Sequence, residues 1–251
     1  MFNVSQIIPK PLRNISLLLV LFAIVVSCDE EVKIDFEEAH IETKKLANIS
    51  FNYPKAKGTT SVADRINASI ETYIANQTNM ANDSLKKASI HDAIKQFNYE
   101  FETFKSDFPE TPQQWEAFVD GEVTYRSPEL ICVSINSYLD TGGAHGNTVV
   151  RFLNFDAQTG KLLEKKDLIN DMEAFSKIVE EKFQAQIKPQ DQDETTEDFF
   201  FGMDFQIPES IGFNDEGVVI LYNTYEIASY AQGITEYLIP YAEVSGLLKH
   251  H

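Results

Sequence analysis

The sequence predicts an α+β protein in which helices pack on a mostly antiparallel β-sheet, arranged as two closely joined subdomains. Helical periodicity is concentrated near the start of the chain, whereas short β-rich runs separated by Gly, Pro, Asn or Asp follow from residue 115 onward. Strands that follow helices, rather than alternating with them, are typical of the α+β class. The composition is 43% hydrophobic, and a chain of this length can bury a core of its own.

The first 27 residues have the pattern of a secretory signal. Basic but no acidic residues occur up to residue 13, and the apolar run Ile15–Val26 is followed by Ser27 and Cys28. As a helix this run would rise only ~18 Å, well short of the ~30 Å hydrocarbon core of a membrane. This length favours a cleaved signal peptide over residues 1–27, with an uncleaved signal anchor as the alternative. The segment Val25–Cys28 resembles a bacterial lipobox, which implies lipidation of Cys28.

Residues 28–39 are predicted to form an acidic tether. The run Asp29–Glu31 resembles the tag that sends lipoproteins to the cell surface in some Gram-negative bacteria, although acidic residues are also ordinary in a solvated tether. Stable anchoring requires more than one acyl chain, as bacterial lipoproteins carry. The expected location is therefore the bacterial cell envelope, with a lipid anchor in the outer membrane and the protein on its periplasmic face or on the cell surface.

The first half of the mature chain is predicted to hold one strand and two helices. The strand spans His40–Tyr53, where apolar and polar residues alternate at the end, and residues 54–60 form a turn. Apolar residues spaced by three and four indicate the helices, and Pro109 ends the second one. The two apolar stripes consist of Val62, Ile66, Ile70, Tyr73 and Ile74, and of Ile90, Ile94, Phe97, Phe101, Phe104 and Phe108.

The second half is predicted to be rich in strands. The predicted strands are 117–125, 130–139, 148–155, 211–222 with a turn at 214–217, and 235–239. A hairpin turn is expected at 156–160, a helix over 173–187 with Asn170 as its cap, and a short helix at the C-terminus. The acidic stretch 191–198 departs from the calcium-loop pattern of an EF-hand, because positions five and six are both Thr, so a solvated loop is the better interpretation.

The charge narrows the range of partners. The formal net charge is −18, which disfavours nucleic acid and anionic membrane surfaces because their phosphates would be repelled. A basic macromolecule would be attracted by such a field, although solubility alone also explains a high net charge. Cys132 lies in an apolar run and is expected to be a buried, inert thiol. If Cys28 is lipidated, Cys132 has no disulfide partner in the mature chain.

Two sequence signatures carry a resemblance to a known domain pair. The first runs from Tyr138 to Thr148 and on through 153–161, and the second comprises 213–222, 225–233 and 239–241. Together they resemble the extracytoplasmic pair DUF4163 and DUF3298, found in a peptidoglycan deacetylase and in a lysozyme-sensing anti-sigma factor. The resemblance implies a DUF4163-like domain at 40–165 and a DUF3298-like domain at 166–251. Because catalysis or signalling belongs to an attached module in those proteins, it also implies a binding module and not an enzyme.

The signatures supply the candidate site. Its glycines suit a tight connection between strands, and its histidine is either a chemical group or a turn residue that hydrogen-bonds the loop. Its glutamate is interpreted as a loop-fixing carboxylate, and its tyrosines as a recognition surface or as buried residues with bonded hydroxyls. No catalytic residue, metal ligand set or cofactor motif is found. The candidate ligand-binding residues are Tyr138, Gly142, Gly143, His145, Asn147, Tyr225, Glu226 and Tyr230.

Three functions remain open at this point. The leading hypothesis is a lipid-anchored, non-catalytic envelope protein that captures a cationic wall-degrading enzyme such as lysozyme. The second is a module that binds the glycan of peptidoglycan through its tyrosine-bearing loops. The third is a hydrolase or deacetylase-associated enzyme that uses His145 and a carboxylate, which requires those side chains to converge in one pocket.

Overall fold

The computed structural model describes residues 34–58, 60–81, 83–187 and 199–250, and all of them belong to one compact unit, Val32–His251. The predicted signal peptide at 1–27, residues 28–33 of the predicted tether, which include Cys28, and the acidic stretch 191–198 lie outside the described residues. No helix within the described part of the chain combines the length and the apolar character needed to cross a membrane.

A six-stranded sheet forms the centre of the molecule, with its strands in chain order. They are β1 (Asp35–Thr43), β2 (Asn48–Lys57), β3 (Glu116–Arg126), β4 (Leu130–Asp140), β5 (Asn147–Asp156) and β6 (Leu162–Leu163). All neighbours are antiparallel except β2 and β3, which are parallel. A parallel pair needs a long crossover, and this one contains both predicted helices, α1 (Thr60–Gln77) and α2 (Ile90–Asp107).

The remaining elements build a second, smaller layer. They are α3 (Lys165–Leu168), α4 (Met172–Ile187), β7 (Ile211–Phe213), β8 (Gly217–Tyr222), β9 (Thr235–Pro240) and α5 (Tyr241–Val244). Strands β7, β8 and β9 form an antiparallel sheet in that order. Every residue of β8 is buried, because β8 is the central strand of this sheet.

Two hydrophobic cores lie on opposite faces of the large sheet. In β4, Ile131 and Val133 belong to the core formed with α1 and α2, whereas Leu130 and Cys132 belong to the core formed with β7, β8, β9 and α4. Side chains alternate between the faces of a strand, so one strand serves both cores. The predicted α+β class, with helices on a mostly antiparallel sheet, is confirmed.

Both cores consist of residues from Ile34 onward. A chain that begins at Asp29 therefore keeps every core contact that the structure describes.

Cys132 has the environment expected from the sequence. Its side chain is fully buried, and its Sγ accepts a hydrogen bond from the Phe213 backbone N–H at 3.4 Å. Burial raises the pKa of the Cys132 thiol to about 11, so the reactive thiolate is scarce at neutral pH. The same contact joins β7 to β4 across the second core.

The predicted boundaries near the N-terminus are wrong in three places. Residues 35–39, assigned to the tether, lie in β1, and the predicted strand 40–53 is a hairpin of β1 and β2. The predicted turn at 54–60 is in fact strand as far as Lys57. Strand β1 is at the edge of the sheet, where charged residues are usual. These charged residues obscure the alternation of apolar and polar residues by which a strand is recognised in the sequence. Pro54 is tolerated because β3 pairs only with 48–52 of β2.

The predicted cap of the third long helix is shifted by one residue. Asp171 Oδ1 accepts the Ala174 backbone N–H at 3.0 Å, which is the bond of an N-cap. The Asn170 side chain instead donates from Nδ2 to the Leu248 carbonyl at 3.0 Å. Asn and Asp are both good N-cap residues, so the local sequence did not distinguish Asn170 from Asp171. The hydrogen bond from Asn170 to Leu248 joins distant segments and was not predictable from the local sequence.

Candidate functional site

The two sequence signatures meet in space. The loop between β4 and β5 brings His145 against the loop that follows β8, where the rings of His145 and Tyr230 stack with centroids 3.7 Å apart and planes inclined by 21°. The Tyr225 ring lies 5.8 Å from that of Tyr230, and its hydroxyl oxygen is 3.5 Å from His145 Nε2. All three side chains are exposed. We call His145, Tyr225 and Tyr230 the aromatic cluster.

Gly146 holds the histidine side of the cluster. Its carbonyl oxygen lies 2.9 Å from His145 Nδ1 and accepts the Tyr230 hydroxyl at 3.4 Å. Because a carbonyl can only accept, the contact places the proton of His145 on Nδ1 and leaves Nε2 as an acceptor facing Tyr225. A Cβ atom on Gly146 would lie 2.2 Å from the Tyr138 hydroxyl oxygen, so only glycine allows Tyr138 to pack there.

The other glycines of the motif shape the tip of the loop. Gly142 has φ +95°, a conformation that glycine adopts without steric cost. Its N–H donates to Asp140 Oδ1 at 2.9 Å, and the Gln113 side chain donates to the same oxygen at 3.3 Å. Gly143 is exposed. These glycines therefore form the turn and contribute no side-chain chemistry.

Tyr225 projects from a strained backbone. Its φ is +65° and its side chain is 55% exposed, and the left-handed conformation costs a bulky residue ~1–2 kcal/mol. The adjacent Glu226 holds the turn, because its carboxylate accepts backbone N–H bonds from Asn223 at 2.9 Å and from Glu209 at 2.7 Å. Glu226 therefore points into the protein backbone, and Tyr225 points away from it.

Asn223 was not predicted as a site residue, yet it holds the loop that follows β8 against strand β5. Its Oδ1 accepts the Val150 N–H at 2.8 Å and its Nδ2 donates to the Val150 carbonyl at 3.0 Å, so the amide imitates a neighbouring strand at the outer edge of β5. Thr224 Oγ1 adds a bond to Asn147 Oδ1 at 3.3 Å. The available sequence signal was a polar Asn directly after the wholly apolar strand β8.

A groove lined mainly by residues of β1, β2, β3 and β4 lies next to the cluster, because Tyr138 lines it and packs against Gly146. It has a volume of about 400 Å³, and Phe118 and Tyr138 stack in it with centroids 5.9 Å apart and planes inclined by 11°. Burial, followed by the negative charges of Asp140 and Glu116, raises the pKa of Tyr138. We call this groove the sheet groove. Its lining residues are Glu42, Lys44, Asn48, Ser50, Asn52, Phe118, Val119, Asp120, Asn136 and Tyr138.

The structure thus separates the predicted site residues into groups. His145, Tyr225 and Tyr230 converge, and Asn147 is bonded to the same loop. Tyr138 lies behind Gly146 in the sheet groove, whereas the carboxylate of Glu226 is committed to backbone N–H groups. The ring nitrogens of His145 face a carbonyl and a tyrosine hydroxyl, and no group of three or more His, Cys, Asp or Glu residues in the described chain is placed to hold a metal ion. This geometry suits recognition better than acid–base chemistry.

Comparisons with known families agree with the resemblance in part. Residues 41–148 match the family model described as "Deacetylase PdaC", and residues 163–242 match "Protein of unknown function (DUF3298)". The segment predicted to resemble DUF3298 is therefore matched by the DUF3298 model, and the segment predicted to resemble DUF4163 is matched by the deacetylase model.

Similar proteins are found among curated sequences and solved structures. The chain is 27% identical over 139 residues to the anti-sigma-V factor RsiV of Bacillus subtilis (strain 168), which corresponds to 52% of this chain and 48% of the relative. The chain thus spans about half the length of that relative. A DUF3298 family protein of Pseudomonas aeruginosa PAO1 has a TM-score of 0.59 at 22% identity, covering 88% of this chain and 96% of that one. A DUF3298 member of Bacteroides fragilis NCTC 9343 has a TM-score of 0.59 at 19% identity, covering 87% and 94%.

Replacement of Gly146 tests the packing beneath the cluster. We expect Gly146→Ala to lower the free energy of unfolding by ~1–3 kcal/mol, because the new Cβ would overlap the Tyr138 hydroxyl. Urea denaturation measures the loss. Gly143→Ala is the matched control, since its Cβ would meet nothing closer than 3.9 Å, and a change below ~0.5 kcal/mol is expected. Equal stability of the two variants would contradict the packing described here.

Proposed function

We propose that this chain is a lipid-anchored, non-catalytic binding protein of the bacterial envelope that captures a cationic wall-degrading enzyme such as lysozyme. One observation carries the proposal: two signatures about 80 residues apart converge to expose His145, Tyr225 and Tyr230 on one surface. The matches to the PdaC and DUF3298 models and to an anti-sigma factor support an envelope-related role.

The form of the cluster supports a protein partner. Exposed tyrosines act as anchors in protein interfaces because they bury a large area at a small cost in side-chain entropy. Here the rings are already stacked and Tyr225 is already held in its strained conformation. Little conformational freedom remains to be lost on binding, which favours affinity.

The charge around the cluster supports a basic partner. Glu42 and Asp120 line the sheet groove, and the charges of Asp140 and Glu116 act on Tyr138. The lining includes one basic residue, Lys44, which pairs with Glu42. Together with the formal net charge of −18, this surface would steer a cationic enzyme toward the cluster.

The proposed anchor is the lipidated thiol of Cys28. Cys132 is buried and its pKa is raised, so it is unsuited to acylation. Six residues separate Cys28 from the start of β1 at Asp35, and even fully extended they span no more than ~20 Å. Lipidation at Cys28 would therefore hold the domain close to the membrane surface.

A second candidate function is binding of cell-wall glycan, and the sheet groove favours it. The Phe118–Tyr138 pair offers an apolar platform, while Asn136 and Asp120 offer amide and carboxylate groups at its exposed side. Sugars bind to sites that combine an aromatic face with a few placed polar groups. This function would use the sheet groove and would not require Tyr225.

The anchor is tested by metabolic labelling of bacterial cells that express the full chain. We expect labelled palmitate to enter the wild-type chain and the Cys132→Ser variant, because the acceptor is Cys28. The Cys28→Ser variant should be unlabelled and should leave the membrane fraction. Label retained in Cys28→Ser would exclude this site of attachment.

The partner is tested by calorimetric titration of the chain from Asp29 onward with lysozyme. We expect affinity that falls steeply as salt is added and that drops roughly tenfold or more in Tyr225→Gly, which removes a central anchor. The same variant should keep its free energy of unfolding or gain up to ~1 kcal/mol, because glycine relieves the strain at φ +65°.

Tyr99→Ala is the control for that titration, since Tyr99 is 63% exposed and lies on α2. It should bind lysozyme as the unaltered chain does. Absence of lysozyme binding in the unaltered chain, or equal losses in the two variants, would refute capture by the aromatic cluster.

The glycan alternative is tested by sedimentation with purified peptidoglycan. If the sheet groove binds glycan, Asn136→Ala should lower the affinity roughly fivefold, as loss of one hydrogen bond does, and added salt should have little effect. Gln96→Ala, an exposed amide on α2, is the control. A pellet that contains no protein would exclude this function and leave the lysozyme proposal standing.

A further inference from the structure

A basic groove crosses the outer edge of the large sheet. Two cavities, each of about 600 Å³, lie side by side there and share Arg151, Leu153, Leu162 and Glu209. One extends toward α3 and the other toward α1 and the segment before α2. We call this pair of cavities the basic groove. It is lined by none of the three residues of the aromatic cluster.

The charge of the basic groove is opposite to that of the whole chain. Five of its lining residues are basic and two are acidic, whereas the chain has 21 basic and 39 acidic residues. An acidic protein that concentrates Lys and Arg in one concave surface there creates a local site for an anion. The basic lining residues are Lys86, Lys87, Arg151, Lys165 and Lys166.

Much of this positive charge is available to a ligand. Lys86 and Lys87 are exposed and make no ion pair within the described residues. Arg151 pairs with Glu209 at 3.1 Å, but the Glu209 side chain is 77% exposed, and exposed ion pairs of this kind are weak. Lys165 is half-buried and donates only to the Pro208 carbonyl, at 2.8 Å. Burial lowers the pKa of Lys165, and the negative charges of Glu209 and Glu226 act in the opposite direction.

The floor of the basic groove is apolar. Leu153 and Leu168 are buried beneath it, and Leu162 is 42% exposed on its surface although it is a large hydrophobic residue. Leu163 and Met172 complete the floor near α3. A concave apolar surface with cations at its rim matches a ligand that has an apolar body and an anionic end.

We propose that the basic groove binds a monomeric amphipathic anion, a single acyl chain that ends in a phosphate or carboxylate. The acyl chain lies on Leu153 and Leu162, and the head group accepts hydrogen bonds from Arg151 and from Lys86 and Lys87. Ligand pockets of ~300–1,000 Å³ are usual for molecules of this size, and each cavity falls within that range. The site is independent of the proposed capture of a wall-degrading enzyme.

The experiment displaces a fluorescent anion from the chain that begins at Asp29. Anilinonaphthalene sulfonate is bound first and is then competed with dodecyl phosphate or laurate below their micelle concentrations. Dodecyltrimethylammonium has an alkyl chain of the same length and the opposite charge, and the strongly negative net charge of the chain would favour it without a dedicated site. We expect the anions to compete at least tenfold better than the cation.

Two variants locate the site. We expect the affinity for dodecyl phosphate to fall at least fivefold in each of two variants. One is the double variant Lys86→Gln with Lys87→Gln, and the other is Arg151→Gln. The control is Lys45→Gln with Lys95→Gln, a pair of exposed lysines that line neither the basic groove nor the sheet groove. It removes the same charge and should change the affinity for dodecyl phosphate less than twofold. Urea denaturation establishes that all three proteins are folded.

Four results would overturn the proposal. The first is equal competition by anion and cation, and the second is an equal loss in the control pair of lysines. The third is binding of phosphatidylglycerol vesicles without any binding of monomeric dodecyl phosphate, which would indicate a membrane surface as the occupant. Retention of tight binding in Arg151→Gln and in the Lys86 and Lys87 variant would place the anion elsewhere.

Discussion

The central antiparallel pair of β4 and β5 is the contact on which the rest of the molecule depends. Its ten paired positions run from Leu130 with Asp156 to Leu139 with Asn147, and its alternating side chains supply both hydrophobic cores. The pair also determines where the two signatures meet, because its hairpin carries His145 at one end while its outer edge receives Asn223. A one-residue shift in this pairing would exchange the two cores and would separate the aromatic cluster.

The same pairing explains why the site can hold strain. The left-handed backbone at Tyr225 persists because Glu226 and Asn223 bond the turn to neighbouring backbone at four points. Strained residues survive only where their surroundings over-determine them. The result is a tyrosine held in place before any partner arrives. Tyr225 is held rigidly at the surface, and no carboxylate lies beside His145 among the described contacts. These two observations favour capture of a partner over hydrolysis.

The surface divides into regions of different charge, and this division matters for function. The sheet groove and its surroundings are acidic, whereas the basic groove at the outer edge of β5 collects five of the chain's basic residues. Both regions are built on the same sheet. Attraction of a basic protein and binding of a small anion are therefore compatible in one molecule, because each uses its own field.

The sequence by itself determined the fold class, the two helices of the crossover, the buried thiol of Cys132 and most of the later strands, namely β3, β4, β5, β7, β8 and β9. These follow from local periodicity and from turn residues, which act over a few positions. It also singled out His145, Tyr225 and Tyr230, but as separate candidates with open alternatives. Tertiary structure decided that these rings pack together and that the Glu226 carboxylate binds backbone N–H groups. It also decided that Arg151 lines the same cavity as two distant lysines, Lys86 and Lys87. Such contacts join residues about 60 to 80 positions apart, and chain-local patterns carry no information about which distant segments will pack together.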